Sequence, residues 1–186
     1  MYRWIGALFI SLSFVQLLAA QTPPPQIIDN ANSASFQATG VWTVSSASGQ
    51  WATNYLTDGN TGKGQKSARF STVVARPGWY SVSLWSLSSP AYSLNTPVDV
   101  HHRDGVTRRI VNQRVNGKMW NGIGGYYLNA DSYVEILNAG TSGQVLADAV
   151  RLDWIWRRDR GQRRHGKGAP ERRLDIGDHQ RRLFWE

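Results

Sequence analysis

The chain has 186 residues, 41% of them apolar and 11% aromatic, and no cysteine, which provides material for one domain with a core and excludes a disulfide-held scaffold. The formal net charge is +8, but residues 151–186 hold eleven basic and six acidic side chains, whereas residues 21–150 hold nine and seven. A body this close to neutral argues against a nucleic-acid-binding domain.

The first predicted element is a leader. Residues 1–20 begin with Arg3, continue as an uncharged apolar run and end in Ala19-Ala20, which is typical of a secretory signal peptide. The apolar run is near the short limit for a bilayer span and residues 23–25 are all proline, so we expect a cleaved signal helix and no stable membrane insertion afterwards. Residues 21–25 then form a proline-rich linker, and the product is secreted, extracellular or periplasmic, in keeping with a bacterial protein.

Residues 26–152 alternate short β-branched and aromatic runs with Gly, Asn, Asp, Ser and Pro, and show no sustained helical period. The segments "GWYSVSLWSL", "PVDVHHR" and "SYVEILN" place apolar side chains on one face and polar ones on the other. This pattern predicts an all-β fold, an antiparallel β-sandwich of the jelly-roll type with about eight strands.

One long polar segment interrupts the strands. Residues 45–67 are rich in glycine and small polar residues, so we expect a loop without regular structure. Within it, "DGNTGKG" at residues 58–64 supplies too few oxygen ligands for calcium and lacks the helix context of a phosphate loop. A glycine-rich turn is the preferred interpretation.

The closing segment "VLADAVRL" predicts a strand that places Leu146, Asp148, Val150 and Leu152 on one side and Ala147, Ala149 and Arg151 on the other. Asp148 therefore lies among apolar neighbours, where a carboxylate needs donors such as backbone amides or an arginine. A hydrogen-bonded structural role is preferred, with a cation site as the alternative.

Several blocks occur together in one order: "IIDN", "FQATGVWTVS", "NYLTDGNTGKGQKSARFS", "RPGWYSVSLW", "TPVDVHHRDGVTRRIVNQ", "GKMWNGIGGYYLNADSYVEILN" and "VLADAVRL". Their order and spacing over residues 26–152 resemble the golvesin C-terminal-like domain, also called the xanthan-lyase carbohydrate-binding-like domain. The resemblance implies a β-sandwich module of an exported bacterial protein, with carbohydrate binding as its role and no catalytic residue set to carry over.

Sugar-binding sandwich modules stack pyranose C–H faces on aromatic rings while polar neighbours bind the hydroxyls. The aromatic residues in polar surroundings are the candidate platform: Trp51, Tyr55, Trp85 and Tyr92. Three others fall in blocks of the resemblance and are expected in the core: Trp42, Tyr80 and Trp120.

Enzymatic function has little support in the sequence. No catalytic motif is present, and the adjacent His101 and His102 would point to opposite faces of a strand, so neither a metal site nor a cofactor is expected. We expect His102 in the core with its hydrogen bonds satisfied, and His101 with Asp99 as a solvated pair. A lyase or hydrolase acting through Asp99, His101 or Glu135 is the weakest alternative, because nothing in the sequence positions them together.

The tail, residues 153–186, is basic but contains acids throughout and has no apolar periodicity. We interpret it as a disordered extension or the out-of-frame remnant of a longer reading frame. The preferred function is an exported, non-catalytic, monomeric module that binds a polysaccharide or cell-surface glycan. The alternative is a structural or protein-interaction spacer of exported enzymes, with the chain as a fragment of a larger secreted protein.

Overall fold

The computed structural model describes residues 22–155, in which the regular secondary structure consists of β-strands joined by turns and loops. The leader, residues 1–20, and the tail beyond Ile155 lie outside the described residues. No helix within residues 22–155 has the length and apolar character needed to span a bilayer. The strands are β1 Gln26–Asp29, β2 Phe36–Thr39, β3 Thr43–Ser45, β4 Tyr55–Thr57, β5 Ser67–Ser71, β6 Gly78–Ser86, β7 Thr96–His102, β8 Gly105–Val111, β9 Met119–Leu128, β10 Tyr133–Leu137, β11 Leu146–Ala147 and β12 Ala149–Trp154.

The strands form three antiparallel sheets. A four-stranded sheet has the order β1-β12-β6-β9, a five-stranded sheet the order β2-β5-β10-β7-β8, and a small sheet the order β11-β4-β3. Both larger sheets contribute apolar side chains to one main core, the arrangement of a β-sandwich. The predicted all-β antiparallel sandwich is confirmed.

The main core follows the alternation of the strands. On β6 the inward side chains are Tyr80, Val82 and Leu84, each at most 4% exposed. They face Val98 and Val100 from the five-stranded sheet, which belong to the same cluster. Burying such side chains contributes roughly 1.5–3 kcal/mol each, which is how a domain without disulfides is held together.

The long polar segment is not entirely irregular. Residues 55–57 form β4, which pairs with β3 on one side and β11 on the other. Leu56 from this strand is 7% exposed and belongs to the main core. The prediction of a structureless segment over residues 45–67 is wrong there, because one apolar side chain at the right position anchors the chain in the sandwich.

The closing strand changes sheets at Asp148. Leu146 and Ala147 form β11 in the small sheet, and Ala149 begins β12 in the four-stranded sheet. The predicted single alternation through Asp148 is wrong: Ala147 and Val150 both enter the main core, whereas Leu146 packs in a separate cluster. β12 continues to Trp154, two residues beyond the predicted boundary at 152.

Candidate functional site

Three tryptophans gather on the solvent side of the four-stranded sheet. Trp85 on β6 and Trp120 on β9 are direct cross-strand partners, with ring centroids 5.3 Å apart. Trp51 comes from the loop between β3 and β4 and lies 5.2 Å from Trp85 and 4.9 Å from Trp120. All three rings are half-buried, and we call them the tryptophan cluster.

Two hydrogen-bond donors hold the loop in place. The Trp85 indole N–H donates to the Gly49 carbonyl at 3.0 Å. The Trp51 backbone amide donates to the two carboxylate oxygens of Asp148 at 3.1 and 3.2 Å. The loop is therefore anchored both through a ring of the cluster and through the residue at which the closing strand changes sheets.

Asp148 is fully buried, and its carboxylate accepts a backbone amide, as the preferred interpretation of this residue predicts. Burial raises the pKa of Asp148 to about 7, and the nearby Asp29 carboxylate acts in the same direction. Burial also raises the pKa of Asp29. Within residues 22–155 no three acidic or histidine side chains come together as a potential metal site.

Tyr55 and Tyr92 lie elsewhere. Tyr55 is 7% exposed and packs with Leu87, Leu146 and Tyr92 in a small cluster apart from the main core. Burial raises the pKa of Tyr92 to about 12, and the neighbouring Tyr55 contributes to this. The structure therefore brings together Trp51 and Trp85 of the four candidates, and leaves the Tyr55 ring without an open face.

Trp120 was expected in the core, and that expectation is wrong. Counting back in steps of two from the buried Tyr126 and Leu128 would point Trp120 inward. A β-bulge shifts the register, so that Val82 pairs with Gly124 but Ser83 pairs with Gly122. The extra residue, Ile123, reverses the phase and turns Trp120 outward. The glycines around Ile123 are the signal in the sequence that could have revealed the bulge.

A groove adjoins the tryptophan cluster. It lies between the edge strands β8 and β9, has a volume of about 380 Å³, and includes Trp85 in its lining. Apolar side chains of Ile110 and Val115 line it together with the amides of Asn116 and Asn121. Its mixed apolar and polar lining is of the kind that binds small polar ligands.

The three residues of the enzymatic alternative lie on the outer face of the five-stranded sheet. Glu135 pairs with Asp99 across β10 and β7, and His101 Nε2 is 4.0 Å from Glu135 Oε2. The expectation that nothing positions them together is therefore wrong. Two of the three side chains are nevertheless engaged in other contacts. Arg108 binds both oxygens of Asp99 at 2.7 Å, and the His101 ring stacks on Tyr133 with ring centroids 3.8 Å apart.

The histidine predictions have different outcomes. Asp99 is 8% exposed and pairs with Arg108, so the predicted solvated pair with His101 is wrong. His102 Nε2 lies 2.9 Å from Thr107 Oγ1, and its Nδ1 accepts the Asp104 amide at 3.3 Å. His102 is thus satisfied as predicted, although it is half-buried rather than in the core.

The segment 58–64 is a turn built around a buried acid, in agreement with its preferred interpretation. Asp58, 1% exposed, accepts the Val145 amide at 2.8 Å and the Lys63 ammonium at 2.7 Å. Lys63 also donates to Thr141 Oγ1 and the Gly143 carbonyl. Burial alone would raise the pKa of Asp58, but these bonds outweigh it and hold the pKa below its usual value.

Comparison with known proteins places the chain in a family. The model of the Golvesin C-terminal domain matches residues 26–154. A xanthan lyase of Bacillus sp. (strain GL1) is 40% identical over 135 residues, which cover 69% of this chain and 14% of that protein. Among solved structures, Paenibacillus xanthan lyase matches with a TM-score of 0.69 at 37% identity, over 70% of this chain and 13% of that one.

A family 35 carbohydrate-binding module from Clostridium thermocellum shares the fold, with a TM-score of 0.50 at 13% identity over 69% of this chain and 98% of the module. The chain spans only a small part of the xanthan lyases, so their activity does not transfer to it with the domain. The match over most of residues 22–155 nevertheless shows the family: the chain belongs to the Golvesin C-terminal domain family.

Proposed function

We propose that the chain is an exported, non-catalytic carbohydrate-binding module that holds a polysaccharide or cell-surface glycan against the tryptophan cluster. The observation that carries the proposal is the position of Trp51, Trp85 and Trp120 outside the core, on the solvent side of a sheet. A cluster built only for stability would be expected between the sheets, where the apolar area is removed from water.

The chemistry of the surroundings supports sugar binding. A pyranose ring presents C–H groups to an aromatic face and hydroxyls at its rim. Around the cluster, Asn121 lies in the adjoining groove, and the Arg151 guanidinium lies 5.9 Å from the Trp120 ring centroid. Apolar rings with polar groups beside them meet both requirements of a sugar.

The relatives support the same class of ligand. The similar proteins are named for action on xanthan, a polysaccharide, and the family 35 module is named for carbohydrate binding. The second relationship concerns fold alone. Export is proposed from the leader sequence, and a monomer is proposed for the module itself.

The test is binding of the full chain to a panel of soluble and insoluble polysaccharides that includes xanthan. Trp120→Ala and Trp51→Ala are compared with Trp79→Ala, a tryptophan on the same sheet at the opposite end of β6. We expect the two cluster variants to lose at least tenfold in affinity and the control to keep its affinity, at equal foldedness by circular dichroism. Absence of binding across the panel by the folded wild type would favour the spacer function.

A further inference from the structure

The segment that runs from one edge strand of the groove to the other carries cations and no acid. Between Asp104 and Asp131, residues 105–130 contain Arg108, Arg109, Arg114 and Lys118 and not one Asp or Glu. This segment comprises β8, the connecting loop and β9, and it supplies most of the groove lining. The surface beside the tryptophan cluster therefore has a positive potential that the nearly neutral body does not share.

Two of the arginines are anchored in a way that leaves their ends available. Arg109 Nε donates to the Ile123 carbonyl and the Tyr126 hydroxyl, both at 3.0 Å. Arg114 Nε donates to the Tyr92 carbonyl at 2.7 Å. Within residues 22–155 the terminal guanidinium nitrogens of both side chains have no hydrogen-bond or ion-pair partner. Anchoring through Nε orients the planar donors and lowers the entropy lost on binding an acid.

Lys118 extends the same charge toward the tryptophans. Its side-chain stem lies against Gly49, the residue whose carbonyl accepts the Trp85 indole N–H. Its ammonium is exposed and has no ion pair or hydrogen bond to residues 22–155. Of the four cations of this segment, only Arg108 has an ion pair within residues 22–155, to Asp99 on the outer face of the five-stranded sheet.

We infer that the glycan bound by this module is anionic, and that its carboxylates contact Arg109, Arg114 and Lys118 while its sugar rings contact the tryptophan cluster. This inference rests on the proposed function and adds the substrate class. A neutral glycan would gain little from unpaired ammonium and guanidinium groups, whereas a carboxylate pairs with a guanidinium through two parallel, charge-assisted hydrogen bonds. A chain of acidic sugars would repeat that contact from Arg109 in the groove to Arg114 and Lys118 in the adjoining loop.

The experiment compares two soluble polymers with one backbone: carboxymethyl cellulose, which is anionic, and hydroxyethyl cellulose, which is neutral. The full chain is titrated with each polymer at low salt and at about 0.5 M NaCl. At the higher concentration the Debye length is only a few ångströms, so interactions between exposed charges are screened. We expect at least tenfold tighter binding of the anionic polymer at low salt and loss of most of that preference at high salt.

Variants are needed to assign the anionic preference to this surface, because the tail is also basic. The double variant Arg114→Gln/Lys118→Gln should lose most of the anionic preference. The control Arg76→Gln removes one exposed cation beside Trp154, at the opposite end of the four-stranded sheet, and should keep the preference. Arg109→Lys retains the charge but not the bidentate donor, and should weaken anionic binding about threefold or more without unfolding the chain.

The outcomes separate the two proposals. Equal, salt-insensitive binding of both polymers would overturn the anionic preference and leave carbohydrate binding standing. An anionic preference that survives in the double variant, or an oligothymidine that competes as well as carboxymethyl cellulose, would also overturn the inference. Failure of the wild type to bind either polymer or any glycan of the panel would remove the proposed function and this inference with it.

Discussion

At the scale of single residues, two buried acids differ in the charge state that their surroundings favour. Asp148 and Asp58 are both buried acids, but their surroundings act in opposite directions. Asp58 has an ammonium and several amide donors, which stabilise its charged form. Asp148 has one backbone amide and a second carboxylate nearby, so its neutral form is favoured. We therefore expect stability to depend on pH through Asp148, and to depend on the Lys63 ammonium through Asp58.

The free energy of unfolding should rise as the pH falls from 8 toward 5. The pKa of Asp148 is about 7 in the folded state against 3.8 in the unfolded chain, so in this window the folded state binds more protons. The stabilisation is present near pH 4 and is lost as the pH rises through 7. Urea denaturation should show an increase on the order of 1–3 kcal/mol, and Asp148→Asn should flatten the slope. A slope that Asp148→Asn leaves unchanged would assign the pH dependence to other groups.

Lys63→Met should destabilise the fold. The substitution keeps an unbranched apolar side chain close to the length of the lysine stem but leaves the Asp58 carboxylate, 1% exposed, without its ammonium partner. Breaking such a pair leaves a buried charge uncompensated, and because Lys63 is partly exposed we expect a loss of about 2 kcal/mol. Urea denaturation of Lys63→Met and of the double variant Asp58→Asn/Lys63→Met measures the loss of stability that the uncompensated charge causes. If both variants lose the same stability, the uncompensated charge is not the cause.

At the scale of elements, the candidate site depends on one irregularity of β9. The bulge at Ile123 turns Trp120 outward and so creates the cross-strand pair with Trp85. Gly124 follows the bulge with φ of +141°, and a Cβ there would lie 2.7 Å from the Tyr126 hydroxyl. That hydroxyl accepts from Arg109 and donates to the Ile123 carbonyl, so the bulge and the groove share one set of contacts.

Gly124→Ala should therefore cost more than an ordinary glycine substitution. Gly140 also has a positive φ, +65°, but its Cβ would meet nothing within 4 Å, so Gly140→Ala measures the backbone strain alone. We expect about 1 kcal/mol for Gly140→Ala and about 2–3 kcal/mol for Gly124→Ala. Only Gly124→Ala should alter the near-ultraviolet circular dichroism of the tryptophans. Equal losses with unchanged spectra would show that the bulge does not set the geometry of the cluster.

For the whole molecule, the sequence predicts the fold better than the site. Strict alternation identifies the inward side chains of β6, β7 and β10, because a two-residue period is a local property. The predictions that failed at β4, at the alternation through Asp148, at Trp120 and at the group of Asp99, His101 and Glu135 each depend on a contact or register between different strands. Trp51 and Trp85 were identified from their polar surroundings, but their meeting with Trp120 depends on a bulge and a long loop.

The most direct test of glycan binding through the tryptophan cluster is an NMR titration of the indole N–H signals with carboxymethyl cellulose oligomers. The chain has nine tryptophans, so each indole reports on its own position. We predict large, saturable shifts for Trp51, Trp85 and Trp120, and unchanged signals for Trp42 and Trp154, which pack against the main core. Glycan binding through the tryptophan cluster would be contradicted by saturable binding that shifts only tryptophans outside the cluster. It would also be contradicted if a glycan that binds the chain shifted no indole signal.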